Sequence, residues 1–281
     1  MKPIPLKNII LCADDYGLNA SVSQGIINLL QRKRLSAVSC LTTSSCWPEQ
    51  AVWLTPFQGP VGLGLHFNLT EGKALSPAFI RKYGESLFPL SRLIIQAFLR
   101  QLDGAVLEQE CQAQLDCFVA AAGFYPDFID GHQHIQQLPQ VRDALLRVYE
   151  RSLRSKKAYL RSVSNAVSSP DFSSKIKQSI IYFCGSPGFQ RLLKKHAIPH
   201  NAGFAGIYAF PQAAAYSRIL PHFLKNIQDK GLIMCHPGLI STSDPQDLIA
   251  AARFQEYSYL ASEQFTADCQ SLGVRLIQFP A

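Results

Sequence analysis

Residues 8–17 read NIILCADDYG. The run Asn8–Ala13 is short, apolar and β-branched at its start, which predicts a strand buried on both faces. It stops at Asp14 and Asp15, two adjacent carboxylates at the end of a buried strand. Adjacent acids repel. The pair therefore reads either as a cap for the next helix or as part of a site that needs negative charge.

Working outward, Asn19 or Ser21 can cap a helix whose apolar positions are Val22, Ile26, Leu29 and Leu30. Further strands are predicted at Ala37–Thr42, Val61–Thr70, the start of Asp127–His134, Ala158–Val163, Gly231–His236 and Val274–Phe279. Helices fall between them. Leu107, Cys111, Leu115, Phe118 and Ala122 mark one, stopped by Gly123. Another starts at Pro139, and others lie near Tyr216–Gln228 and Ser262–Ser271. This alternation predicts an α/β fold with a mainly parallel sheet, open or closed as a barrel. No repeat, low-complexity tract or linker divides the chain, so residues 1–281 are expected to form one domain. Residues 71–104 break the rhythm and read as an insertion. It could serve as a lid, or as a homodimer contact through Phe88–Leu99. Residues 164–215 show no clear period.

The chain carries 27 Lys and Arg against 20 Asp and Glu, a net charge of +7. Such a balance can attract nucleic acid, anionic lipid or an acidic substrate, or simply aid solubility. No aromatic-and-basic nucleic-acid module is evident, so no nucleic-acid partner is expected. The stretch Arg151, Arg154, Lys156, Lys157 and Arg161 reads as a solvated face, or as a contact for an anionic group. Eight cysteines form no CxxC pair and no zinc ladder, which suggests a reducing, cytoplasmic location. The apolar run before Asp14 is too short for a signal peptide. The stretch LIIQAFL, Leu93–Leu99, falls well below the ~20 residues of a membrane span.

In parallel α/β folds functional groups gather at the C-terminal ends of strands. Here those ends carry Asp14 and Asp15, then His66, then Asp130, His132 and His134, then His236. Singly, each is an ordinary structural residue. Jointly, carboxylate and imidazole converging from separate strands build a divalent-metal site with open positions. One acid of the pair can ligate the ion while its neighbour takes a proton from water, and a distant His can protonate the leaving group. A metal-dependent hydrolase is the expected class. A phosphoesterase using two ions is one alternative, and a non-catalytic sugar-binding protein another. Asn68, Thr70 and Glu71 could line a substrate site or cap the strand.

The four motifs ADDYG, GLHFNLTEG, DGHQH and MCHPG occur in this order between residues 13 and 238. Together they resemble the YdjC-like carbohydrate deacetylases, which include chitooligosaccharide deacetylase and hopanoid-associated deacetylases. The resemblance implies a distorted (β/α) barrel related to polysaccharide deacetylases. It also implies removal of an N-acetyl group from an amino sugar, either a small carbohydrate or a glycoconjugate, with one divalent ion, magnesium or zinc. Asp14 is then expected as the catalytic base and His236 as the general acid. Asp15, His66 and His132 are the expected metal ligands. His134, Asn68 and Tyr16 are candidate substrate contacts. Two positions depart from the family's pattern: Gln136 stands where a further His is common, and Tyr16 where Phe is common.

Overall fold

The computed structural model describes residues 6–169, 172–240 and 247–279. Among these residues eight strands form one sheet: β1 (Lys7–Tyr16), β2 (Ala37–Cys40), β3 (Gly62–Phe67), β4 (Phe128–Gly131), β5 (Tyr159–Leu160), β6 (Phe204–Ala205), β7 (Gly231–Cys235) and β8 (Val274–Leu276). The order is β5-β4-β3-β2-β1-β7-β6, with β8 paired to β1 off this path. Every pairing is parallel.

Side chains alternate between the two faces of each strand. Ile9, Leu11 and Ala13 of β1, Leu63 and Leu65 of β3 and Ile233 of β7 join the large core under the helices. Ile10, Cys12, Phe128, Tyr159, Phe204 and Leu232 point the other way and form a smaller cluster inside the curled sheet. Both faces are apolar, which is why the strands read as continuous apolar runs. Gly64 makes room for this interior, because a Cβ there would stand 2.3 Å from the Phe128 ring. Phe128 stacks on Tyr159 at 4.8 Å between ring centroids, and Tyr159 on Phe279 at 4.0 Å.

The curl is a distorted barrel. Its edge strands β5 and β6 share no ladder. The bridge Ala166 to Phe204 spans the gap, and the Leu160 N–H of β5 donates to the Pro199 carbonyl at 3.0 Å. Beside it the Asn201 side chain accepts the Ser162 N–H and donates to the carbonyls of Ser162 and Gly203, each at 2.8 Å. One polar side chain thus adds to the few backbone bonds where strand pairing is missing.

β1 is the hub. Lys7 and Ile9 bond to the β8 segment, and the Leu11 carbonyl accepts from Ser36 just before β2. β8 and β2 therefore follow one another along one edge of β1, while β7 takes the other.

The helix Ala20–Gln31 is capped by Asn19, whose side chain accepts the Val22 N–H. The helix Gly104–Ala122 is capped by Asp103 and ends at Gly123 in the left-handed conformation. Both match expectation. The 71–104 segment contains the helices Pro77–Tyr83 and Leu90–Phe98. It is tied to Gly104–Ala122 by fully buried Glu110, which accepts the N–H of Leu75 at 3.0 Å, that of Ser76 at 2.7 Å and the Gln114 amide at 2.9 Å. Ile95, Phe98 and Leu99 remain exposed on its outer side. The stretch without clear period holds the helices Phe172–Phe183 and Ser186–Lys195. A further helix, Ala250–Ala261, was not expected from the sequence. Its buried face includes Arg253 and Glu256, which break the apolar stripe that periodicity relies on. Among the described residues no helix is long and apolar enough to cross a membrane.

Candidate metal and catalytic centre

Between the pairs Ala13↔Val38 and Tyr16↔Cys40, β1 spends one residue more than β2. Asp14 and Asp15 sit in this β-bulge. Asp15 adopts φ 66, a left-handed conformation that Asp tolerates better than most residues. The bulge breaks the strand's alternation, so neighbouring carboxylates acquire different surroundings. Asp14 meets Arg161 inside the barrel, and Asp15 meets His66 and His132 at its mouth.

His66 ends β3, and His132 follows β4 at the head of a short 3₁₀ segment, His132–Gln137. Asp15 Oδ1 lies 3.3 Å from His66 Nε2 and 3.2 Å from His132 Nδ1, and the two nitrogens are 3.3 Å apart. Three atoms each ~2.0–2.1 Å from one tetrahedral ion stand about 3.3 Å from each other, so this triangle has the dimensions of a metal-ligand set. The far nitrogens are held as well. His66 Nδ1 donates to Asp130 Oδ1 at 2.6 Å, and the Ser39 hydroxyl donates to the same oxygen at 2.6 Å. Glu71 Oε2 stands 3.3 Å from His132 Nε2. A carboxylate beside the outer nitrogen keeps the proton there and turns the inner lone pair towards an ion.

Charge agrees with geometry. Burial alone would raise the Asp15 pKa, but Arg253, His132 and His66 outweigh it and hold the carboxyl well below its ordinary value. Burial would lower His66, yet Asp130 and Asp15 lift it to about 10. Asp15 Oδ1 is buried and takes no hydrogen bond. The pocket favours a positive charge at this point, and a divalent ion supplies one.

Deeper in, Arg161 is fully buried, which corrects its place in a solvated basic run. Its two terminal nitrogens bind the two oxygens of Asp14, each at 2.6 Å; Nη2 also reaches Asp130 Oδ2 at 2.5 Å and Cys12 Sγ at 3.0 Å. Strand alternation puts Arg161 on the same face as Tyr159 and so gave a signal of its inward course. Cys12, Asp14 and Asp130 also lie close enough together to suggest a second ion, but the guanidinium already occupies that cluster.

Two more residues escaped the sequence reading. Arg253 Nη2 donates to Asp15 Oδ2 at 2.8 Å, leaving Oδ1 for the triangle. Glu256, one helical turn on, accepts the backbone N–H of His236 at 2.5 Å and the Tyr208 hydroxyl at 2.5 Å. Burial pushes Glu256 up to about 7 against the pull of these donors. His236 follows β7 with its ring edge-on to Phe210 and its Nδ1 unpartnered. Burial lowers it to about 4, although Asp15 and Asp14 oppose the shift.

The remaining candidates fare differently. His134 is buried with φ 61, edge-on to Phe204, and its Nδ1 has no hydrogen bond. Asn68 is committed to its own loop. Its amide donates to Thr43 and to the Glu71 carbonyl, and its oxygen accepts the N–H groups of Thr70 and Glu71. That wiring presents Glu71 to His132 and leaves Asn68 nothing for a ligand. Tyr16 lies in the outer core, where its hydroxyl donates to the Gln50 carbonyl at 2.7 Å, away from the mouth. Gln136 is buried and donates to the Arg161 carbonyl at 3.4 Å.

A family model described as YdjC-like protein matches residues 8–271. The chain is 26% identical to a chitooligosaccharide deacetylase of Yersinia pestis (strain Pestoides F) over 276 residues, 97% of this chain and 98% of that one. It is 31% identical to a chitooligosaccharide deacetylase of Serratia marcescens over 137 residues, 48% of this chain and 53% of the relative. With a carbohydrate deacetylase of Danio rerio the identity is 29% over 153 residues, 52% of this chain and 47% of the relative. These two matches span about half the length of the relatives. Among solved structures, an Enterococcus faecalis V583 protein assigned by name to cellobiose-phosphate cleavage superposes with a TM-score of 0.71 at 18% identity, covering 98% of each chain. A peptidoglycan N-acetylglucosamine deacetylase gives 0.52 at 11% identity, covering 99% of this chain and 88% of that one. Both likenesses concern the fold. With the four motifs in order and the family model matched from β1 to the helix before β8, the chain belongs to the YdjC-like family.

Proposed function

We propose that this chain is a metal-dependent carbohydrate N-deacetylase, acting on the acetamide of an amino sugar such as an N-acetylglucosamine unit. The triangle of Asp15, His66 and His132 beside a second, separately held carboxylate, Asp14, carries the reading. The names of the Yersinia and Serratia relatives support the substrate class.

Asp15, His66 and His132 would hold a divalent ion, which would supply Lewis acidity to a water and to the acetyl oxygen. Asp14 is the base that takes the proton from the attacking water. Arg161 fixes the plane of Asp14 through both oxygens, and each oxygen keeps a further lone pair for the proton. The water oxygen adds to the acetyl carbon, the C–N bond breaks, and the leaving nitrogen regains the proton that Asp14 took, handed on through the His236 ring, which is neutral at rest. The products are acetate and a free amine. Glu256 holds the His236 backbone and so aims the ring. Two imidazoles and one carboxylate suit zinc better than magnesium. The cluster of Cys12, Asp14 and Asp130, filled by Arg161, argues against a two-ion phosphoesterase.

The test is acetate release from N,N'-diacetylchitobiose by the purified chain, before and after chelation and with zinc or magnesium restored. Loss on chelation and recovery with one ion per chain are expected. Release that ignores the chelator would sink the metal-dependent reading. Tight sugar binding without acetate would replace it with a sugar-binding protein.

A further inference from the structure

The helix Phe172–Phe183 presents Phe172, Ile176, Ile180 and Phe183 to solvent, each between 49% and 78% exposed. They fall at i, i+4, i+8 and i+11, a single stripe. The stripe borders a shallow hollow of about 490 Å³ that Lys175 also lines. The opposite face of the helix is fastened across the barrel mouth. Ala209 N–H donates to Ser174 Oγ at 2.7 Å, Lys177 Nζ donates to the Tyr208 carbonyl at 3.2 Å, and Gln137 donates to the Ile181 carbonyl at 2.6 Å. The apolar stripe is therefore a fixed outer surface above the segments that carry His134 and His236.

Charge indicates what covers it. Residues 172–228 contain seven Lys and Arg and no Asp or Glu. The remainder of the chain has 20 of each sign, so this one stretch holds the whole net charge of +7. Lys175 on the helix and Arg191, Lys194 and Lys195 on the next one are exposed. Phe and Ile on one stripe with Lys and Arg beside it, and a single acid, Asp171, next to the helix in the chain, is the make-up of a helix that lies in the plane of an anionic bilayer. A second copy of the chain would bring the same positive charge to the contact and be repelled.

We propose that the helix Phe172–Phe183 is a membrane-surface docking element. It seats its apolar stripe among the acyl chains of an anionic leaflet while the neighbouring Lys and Arg meet the headgroups. The barrel mouth then opens beside the lipid surface.

The experiment is flotation of the full chain with vesicles of 30% phosphatidylglycerol in phosphatidylcholine, against phosphatidylcholine alone. Binding to the anionic vesicles should exceed binding to the neutral ones at least tenfold and weaken in 0.5 M salt. The pair Ile176→Ser with Ile180→Ser, and separately the triple Lys175→Gln, Lys194→Gln and Lys195→Gln, should each weaken it at least tenfold. All five positions are exposed, and unchanged melting curves would show that the fold survives. Wild-type protein left unbound by anionic vesicles overturns the proposal, as does equal binding by the variants. Sedimentation showing a dimer that the Ile176→Ser, Ile180→Ser pair dissociates, without vesicle binding, places a second copy there instead.

Discussion

At Asp15 the backbone and the chemistry constrain each other. Its φ of 66 turns the carboxylate towards His66 and His132, and Asn accepts that conformation nearly as well as Asp. Asp15→Asn should keep the fold and lose the ion, with bound metal per chain falling at least tenfold by elemental analysis. Asp14→Asn should keep the ion and lower kcat by about 10²–10⁴-fold, the range for removing a general base. If the two variants exchanged these outcomes, the assigned roles would be reversed. His236 gives a pH prediction. Unfolded, it takes a proton near its ordinary value of 6.5; folded, burial delays this to about 4. The unfolded chain therefore holds the extra proton between those values, so stability falls as pH drops from about 6.5 to about 4. Urea midpoints at pH 7.5 and 4.5 should show the fall, and His236→Gln should reduce it. The convergence of Asp15, His66 and His132, the ligand set proposed above, was legible in the sequence because strand ends in a parallel sheet converge. Arg161, Arg253 and Glu256 were not, because buried charges look like surface charges until their partners are known.

At the scale of elements, two buried devices carry much of the architecture. Phe128 of β4 occupies the space that a side chain at position 64 of β3 would need. Gly64→Ala should cost about 1–3 kcal/mol through overpacking, read from chemical unfolding. Glu110 is the anchor of the 71–104 segment. Glu110→Ala leaves two backbone N–H groups without their acceptor and should cost about 3 kcal/mol, while Glu110→Gln should cost less. The strands and the helices Ala20–Gln31 and Gly104–Ala122 follow from periodicity and caps because their buried faces are mostly apolar. The helix Ala250–Ala261 hides for the opposite reason: Arg253 and Glu256 lie on the face that packs. Helix Phe172–Phe183 hides because its apolar stripe faces out and its packed face contains Ser174, Lys177 and Gln178. A reading that assumes apolar means inside assigns such a helix the wrong way round.

At the scale of the molecule, an α/β fold with a mainly parallel sheet was readable from the alternation of strands and helices, and its closure as a distorted barrel only from the family resemblance. The incomplete closure between β5 and β6 was not, since the Asn201 side chain and a few isolated backbone bonds take the place of a ladder. The central position of β1 has a consequence for biosynthesis. Cys12 and Cys235, neighbours in the finished sheet, are 223 residues apart in the chain. At about 5–20 residues per second, a ribosome takes about 10–45 s to travel between them. During that interval the nascent chain carries its apolar first strand with one edge bare, the kind of edge that recruits other chains. Productive expression should therefore depend on a holdase that covers this edge until β7 emerges, and should suffer when translation is slowed.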